Sequence, residues 1–156
     1  RHAITVLGRR QLQRWLQLLL YTNPSGNRVV SPLLQLAASR GRLMELLAGK
    51  LHPGRGDFED TAFMTGIMSL MPTLMSVSLE EILRGIEIPG SVRSALEARD
   101  GELGTMLKLT EALEAGDGPA CSEIAQQLPG LDATTINTCL AQALAWANNI
   151  GRENEV

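Results

Sequence analysis

The sequence predicts an all-α protein, a single bundle of about seven or eight helices. Three observations predict it. Apolar residues recur every three or four positions rather than every second one, which is the period of a helix face. Turn signals fall at helix-sized intervals: Thr22-Asn23-Pro24-Ser25-Gly26-Asn27, His52-Pro53-Gly54-Arg55-Gly56, Pro89-Gly90, Asp100-Gly101, Gly116-Asp117-Gly118-Pro119 and Pro129-Gly130. Strand candidates are poor, because Val29-Val30 is too short and Ile86-Glu87-Ile88 stops at Pro89.

Each segment carries its own reason. Leu12, Trp15, Leu16 and Leu19 share one face of the first helix, and Arg10, Gln13, Arg14 and Gln17, with Arg9 adjacent, share another. Ser31 before Pro32 fits an N-cap followed by proline at the first helical position. Asp57, Asp117 and Asp132 each precede a periodic run and are expected to cap it. Met64, Met68, Met71 and Met75 step by four, three and four and so lie on one face, read as core in preference to an adaptable binding surface. Pro72 has no N–H to give to the carbonyl of Met68, so the helix should end or kink there. Ser78-Leu79-Glu80-Glu81 fits a capping box. Cys121, Ile124, Ala125 and Leu128 form a later stripe. Ile136, Cys139, Leu140, Ala143, Ala147 and Ile150 form the last.

Composition narrows the function. The chain has 156 residues, 44% of them apolar and only 3% aromatic, so the expected core is aliphatic. That is too apolar for intrinsic disorder. No apolar run approaches the ~18 residues of a membrane span, which predicts a soluble region. The chain starts at Arg1 with no leader pattern and reads as a piece of a longer or processed protein. Two cysteines do not make a disulfide scaffold, and Cys121 and Cys139 are expected to be reduced thiols on apolar stripes. Charge is segregated. Arg1 to Arg55 holds nine basic residues and one acid, a balance of +8, while Gly56 to Val156 stands at −11. The favoured reading is that the two segments face each other in one fold, with a partner surface as the other. The acidic overall balance argues against a dedicated nucleic-acid binder, although the basic first third leaves nucleotide or nucleic-acid binding as an alternative.

Site chemistry is sparse. A metal centre needs several converging ligands. The chain has two histidines, His2 at its start and His52 in a loop, and no His-Asp pair. Phosphate loops and nucleophile elbows are absent. Asp57, Glu59 and Asp60 are the carboxylates from which an unusual metal-dependent phosphohydrolase site would be built. They read better as acids at a helix N-terminus, where the helix dipole favours them.

Several stretches in order resemble a known family. Ala3-Ile4-Thr5-Val6-Leu7-Gly8, then Leu12 and Trp15-Leu16, is similar to the opening element of the HD-related output domain, HDOD. Ala62-Phe63-Met64-Thr65-Gly66-Ile67-Met68-Ser69-Leu70 resembles the helix that ends in His-Asp in metal-dependent HD phosphohydrolases, with Ser69 at the His place and Leu70 at the Asp place. Pro72 to Met75, Val77 to Leu83, Gly101-Glu102-Leu103-Gly104 and Ala143-Leu144-Ala145-Trp146-Ala147 are similar to HDOD domains that follow an EAL domain in bacterial proteins. The resemblance runs over nearly the whole chain, residues 1–156, and implies further opening helices and an EAL domain upstream. It implies an HD-like bundle whose metal pair is lost, since leucine offers a cation no lone pair and serine only a neutral hydroxyl. The expectation is therefore a non-catalytic, cytoplasmic signalling domain without metal or cofactor. It would act by contact with a linked EAL domain of cyclic di-GMP signalling, with another signalling protein, or with itself. Arg9, Arg10 and Arg14 are its candidate contact residues.

Overall fold

The computed structural model describes the backbone of residues 32–150 and the side chains of residues 32–149. Over that range it is all-helical: α1 (Pro32–Leu51), α2 (Gly56–Met68), α3 (Met71–Met75), α4 (Leu79–Arg84), α5 (Gly90–Ala98), α6 (Gly101–Ala115), α7 (Gly118–Ala125) and α8 (Ala133–Ile150). The all-α expectation holds, and there is no strand among the described residues. The helix with Leu12 and Trp15, the cap at Ser31 and the loop from Thr22 to Asn27 lie outside the described residues.

α1 is the central element. Leu34, Ala37, Leu43, Met44, Leu47 and Ala48 are buried, and so are Arg40 and Glu45, so the helix is covered over most of its circumference. A helix with several buried sides needs neighbours on each. Here α2, α8 and α6 supply them. α5 packs on α6, and α6 on α7.

The α1–α2 contact is close because both helices present glycine at the crossing. A Cβ on Gly66 would stand 2.8 Å from Gly41 Cα and 2.9 Å from Arg40 O, and one on Gly41 would meet Ile67 Cγ1 at 2.9 Å. Backbones therefore touch where side chains usually intervene. Around the crossing lie Phe63, Met44, Ile67, Leu107 and Met106, all fully buried. Phe63 meets Trp146 of α8 edge to face at 6.0 Å, which ties the third neighbour to the same core. The buried threonines are satisfied locally. Thr65 Oγ1 donates to Thr61 O and Thr110 Oγ1 to Met106 O, the latter within hydrogen-bond reach of Met44 Sδ.

Most helix ends follow the expected chemistry. Ser78 Oγ accepts from the Glu81 N–H at 3.2 Å, Asp117 from Ala120 and Asp132 from Thr135. Pro72 sits in the first turn of α3, after α2 has stopped at Met68. Asp57 differs. Arg55 is the N-cap of α2, no side chain caps that end, and Asp57 lies inside the first turn beside Arg55 at 3.5 Å. The Gly54-Arg55-Gly56 turn brings the chain into the helix two residues earlier than an aspartate cap would. Met64, Met68 and Met71 are core, as expected of their face, but Met75 is 45% exposed because α3 re-aims the chain after Pro72. The Cys121 stripe also changes. α7 stops at Ala125, and Leu128 reaches the core from the following turn.

Candidate functional site

The surroundings of Ser69 and Leu70 are built by three helices. Ser69 follows the last turn of α2 with helical dihedrals, and its backbone N–H still bonds Thr65 O at 3.1 Å. That fixes where its side chain emerges. Its hydroxyl donates to Gly66 O at 2.6 Å and accepts from Arg40 Nη1 at 2.9 Å. Leu70, the next residue, is buried hydrocarbon at the start of α3.

Arg40 comes from the middle of α1, one residue before the Gly41 crossing, so the close helix approach is what brings its side chain to the end of α2. Nε donates to Glu114 Oε1 at 2.8 Å and Nη2 to Oε2 at 2.5 Å. This is the two-point fork that guanidinium and carboxylate favour. The side chains are 8% and 22% exposed, so the pair is only partly in reach of water. Glu114 stands near the C-terminus of α6, 74 residues away from Arg40.

This arrangement is unsuited to a metal ion. A divalent cation placed on the Ser69 hydroxyl would sit roughly 5 Å from a fixed guanidinium, a repulsion on the order of 6 kcal/mol at an effective dielectric constant near 20. The carboxylate that would offset it is engaged by Arg40 on both oxygens. Among the described residues no group of three or more His, Cys, Asp and Glu side chains is placed to hold a metal ion. Asp57, Glu59 and Asp60 do not converge: Asp57 pairs with Arg55, Glu59 lies over Gly49, and Asp60 is exposed. His52 is taken up elsewhere. Its Nε2 bonds Glu102 Oε1 at 2.7 Å, joining the end of α1 to the start of α6, and its ring stands on the edge of Phe58.

Among the remaining candidates, Arg9, Arg10, Arg14 and His2 lie outside the described residues. The cysteines are free thiols in different settings. Burial pushes both upward, with Asp117 adding to the rise at Cys121 and Lys50 opposing it at Cys139. A cleft between α4 and α5 has an apolar floor of Leu79, Leu83 and Ile86, and its rim charges are paired within their own helices, Arg84 with Glu80 and Arg93 with Glu97.

Sequence reasoning singled out Ser69 and Leu70 and not Arg40 or Glu114, the residues that the structure brings to Ser69. Nothing local marks either residue. The coarse signal was the charge segregation, and among the described residues Arg40–Glu114, His52–Glu102 and Arg55–Asp57 join the basic segment to the acidic one.

No family model matches the chain, and no solved structure matches it. Curated proteins do. The chain is 28% identical over 151 residues to the uncharacterized protein YuxH of Bacillus subtilis (strain 168). It is 27% identical over 152 residues to the cyclic di-GMP phosphodiesterase CdgJ of Vibrio cholerae serotype O1. These alignments take in 95% and 97% of this chain but 35% and 34% of the relatives, so the chain spans about a third of the length of the curated proteins it matches.

Proposed function

We propose that this chain is an HDOD-type regulatory domain of bacterial cyclic di-GMP signalling, working by protein contact and not by catalysis. The observation that carries the reading is the guanidinium of Arg40, held 2.9 Å from the hydroxyl of Ser69 and locked by Glu114 where an HD hydrolase would keep its ions. A fold carries no chemistry without its site. In this site the charge needed to join three helices is supplied by a side chain.

The alignment to about a third of a protein named as a cyclic di-GMP phosphodiesterase supports the signalling half of the proposal. In that setting the domain biases a linked EAL domain, located in cytoplasm, between two arrangements. Such control requires that the two arrangements contact this bundle differently. Deleting residues 1–156 from the protein that carries them tests it. Cyclic di-GMP turnover or the number of subunits per assembly should change. If both stay as they were, the regulatory reading fails. Stoichiometric manganese, iron or zinc in the purified domain, with phosphatase activity, would instead favour the hydrolase.

A further inference from the structure

We propose that residues 71–88, which carry α3 and α4, form a strap that opens from the bundle as one cooperative unit while the packed helices around it stay folded. The first observation is how little holds the strap down. Of its side chains only Met71, 3% exposed, and Leu83, 2% exposed, are buried, while Leu74, Ile82 and Ile86 are half-buried. In α2, immediately before it, every residue from 62 to 68 is buried. Hydrogen bonding adds little. The backbone bonds of the strap stay within it or reach back to Leu70. Among the described residues one side-chain bond joins it to another helix, from Arg93 Nη2 of α5 to Leu83 O at 3.5 Å, the far limit of such a bond. Helices of five and six residues do not persist alone in water, so a detached strap melts.

The second observation is geometric. α4 packs on α3, and α3 on the end of α2. Toward α5, α4 faces the cleft lined by Leu79, Leu83 and Ile86, a space of about 720 Å³ and not an interlocked contact. Ser76, at the joint of the two helices, holds φ at 56°, a left-handed conformation that a residue with a Cβ adopts under strain.

Both borders of the strap are pinned. The Ser69 N–H bonds Thr65 O, its hydroxyl accepts from Arg40, and Leu70 is buried. At the far end Pro89 O accepts from the Val92 and Arg93 N–H groups at 3.1 Å, and Val92 is fully buried. A thinly packed segment between well-packed neighbours opens before them and as a block. One anchor lies on each helix, Met71 on α3 and Leu83 on α4, and the helices rest on each other, so neither leaves without the other. Such an element has the two arrangements that control by contact requires, although its opening depends on packing alone.

Native-state hydrogen exchange of the 156-residue chain is the test. Amides of α3 and α4 should share one protection factor, on the order of 100-fold below that of α1 and α2. Leu83→Ala, which trims the anchor on α4, should lower protection in α3 and in α4 by the same factor, at least about 10-fold. If that variant does not fold, Ile82→Ala, trimming a half-buried side chain, gives the same reading with a smaller change. Different protection factors for α3 and α4, or a factor equal to that of α2, overturn the proposal. A folded variant that loosens α4 and leaves α3 as it was overturns it too.

Discussion

Arg40 is an arginine inside a core of leucine and methionine, and its stability depends on keeping both partners. Removing one member of a buried ion pair leaves the other charge desolvated without compensation. Glu114→Gln should therefore destabilise the fold by about 2 kcal/mol, below the 3–5 of a fully buried pair because Glu114 is partly in water. Replacing both residues, as Arg40→Met with Glu114→Leu, should recover most of that loss, and chemical denaturation of the four members of the cycle checks it. The thiols offer a second residue-scale test. Burial holds the Cys139 thiol above its ordinary range, so little thiolate exists near neutral pH. Alkylation of Cys139 should be slow in the native protein and fast in denaturant. Fast native labelling would show that the α8 core face opens.

At the scale of elements, the α1–α2 crossing is the joint from which the rest is positioned. Gly66→Ala drives a methyl against the backbone of Gly41 and Arg40, which has no rotamer by which to yield. The expected cost is about 2–3 kcal/mol, and the hydrogen bond from Arg40 to Ser69 should break as the helices part. Gly41→Ala should cost less, since two of its three close neighbours are the flexible side chain of Ile67. Helix entry is pH-dependent at α8. Hydrogen bonds from Thr135, side chain first and then backbone N–H, hold the Asp132 carboxyl below its ordinary value. Its folded-state pKa is depressed, so the stabilisation is fully present above the unfolded value and is lost as pH falls through the folded one. Asp132→Ala should flatten the acid limb of a thermal-stability profile and leave its neutral limb parallel to that of the parent. These elements were largely legible in the sequence. Ser78, Asp117 and Asp132 announce helix starts through short-range chemistry, and the stripe from Ile136 to Ala147 is local in period. Asp57 misled because glycines on both sides of Arg55 redirect the chain first. The Gly41–Gly66 contact and the Arg40–Glu114 lock join residues far apart in the chain, and no local pattern encodes which of them meet.

For the whole molecule, the segregation of charge becomes a mode of assembly. Basic α1 packs against acidic α2 and α6 and charge-free α8, and its Arg40 and the His52 that follows its last turn pair with Glu114 and Glu102 of α6. The sequence carried this as a net balance; the structure turns it into specific pairs. It also places the charge-free α8 on the surface, beside a core it helps to close. No helix of the described residues is long and apolar enough to cross a membrane. A bundle of this kind has room for a cation only where a side chain does not already supply one. In the proposed function Arg40 supplies that charge beside Ser69. Metal analysis and a cyclic di-GMP hydrolysis assay on the purified chain, incubated with manganese, test it together. The expected result is neither stoichiometric metal nor turnover. One tightly held ion per chain, with hydrolysis abolished by Ser69→Ala, would contradict it.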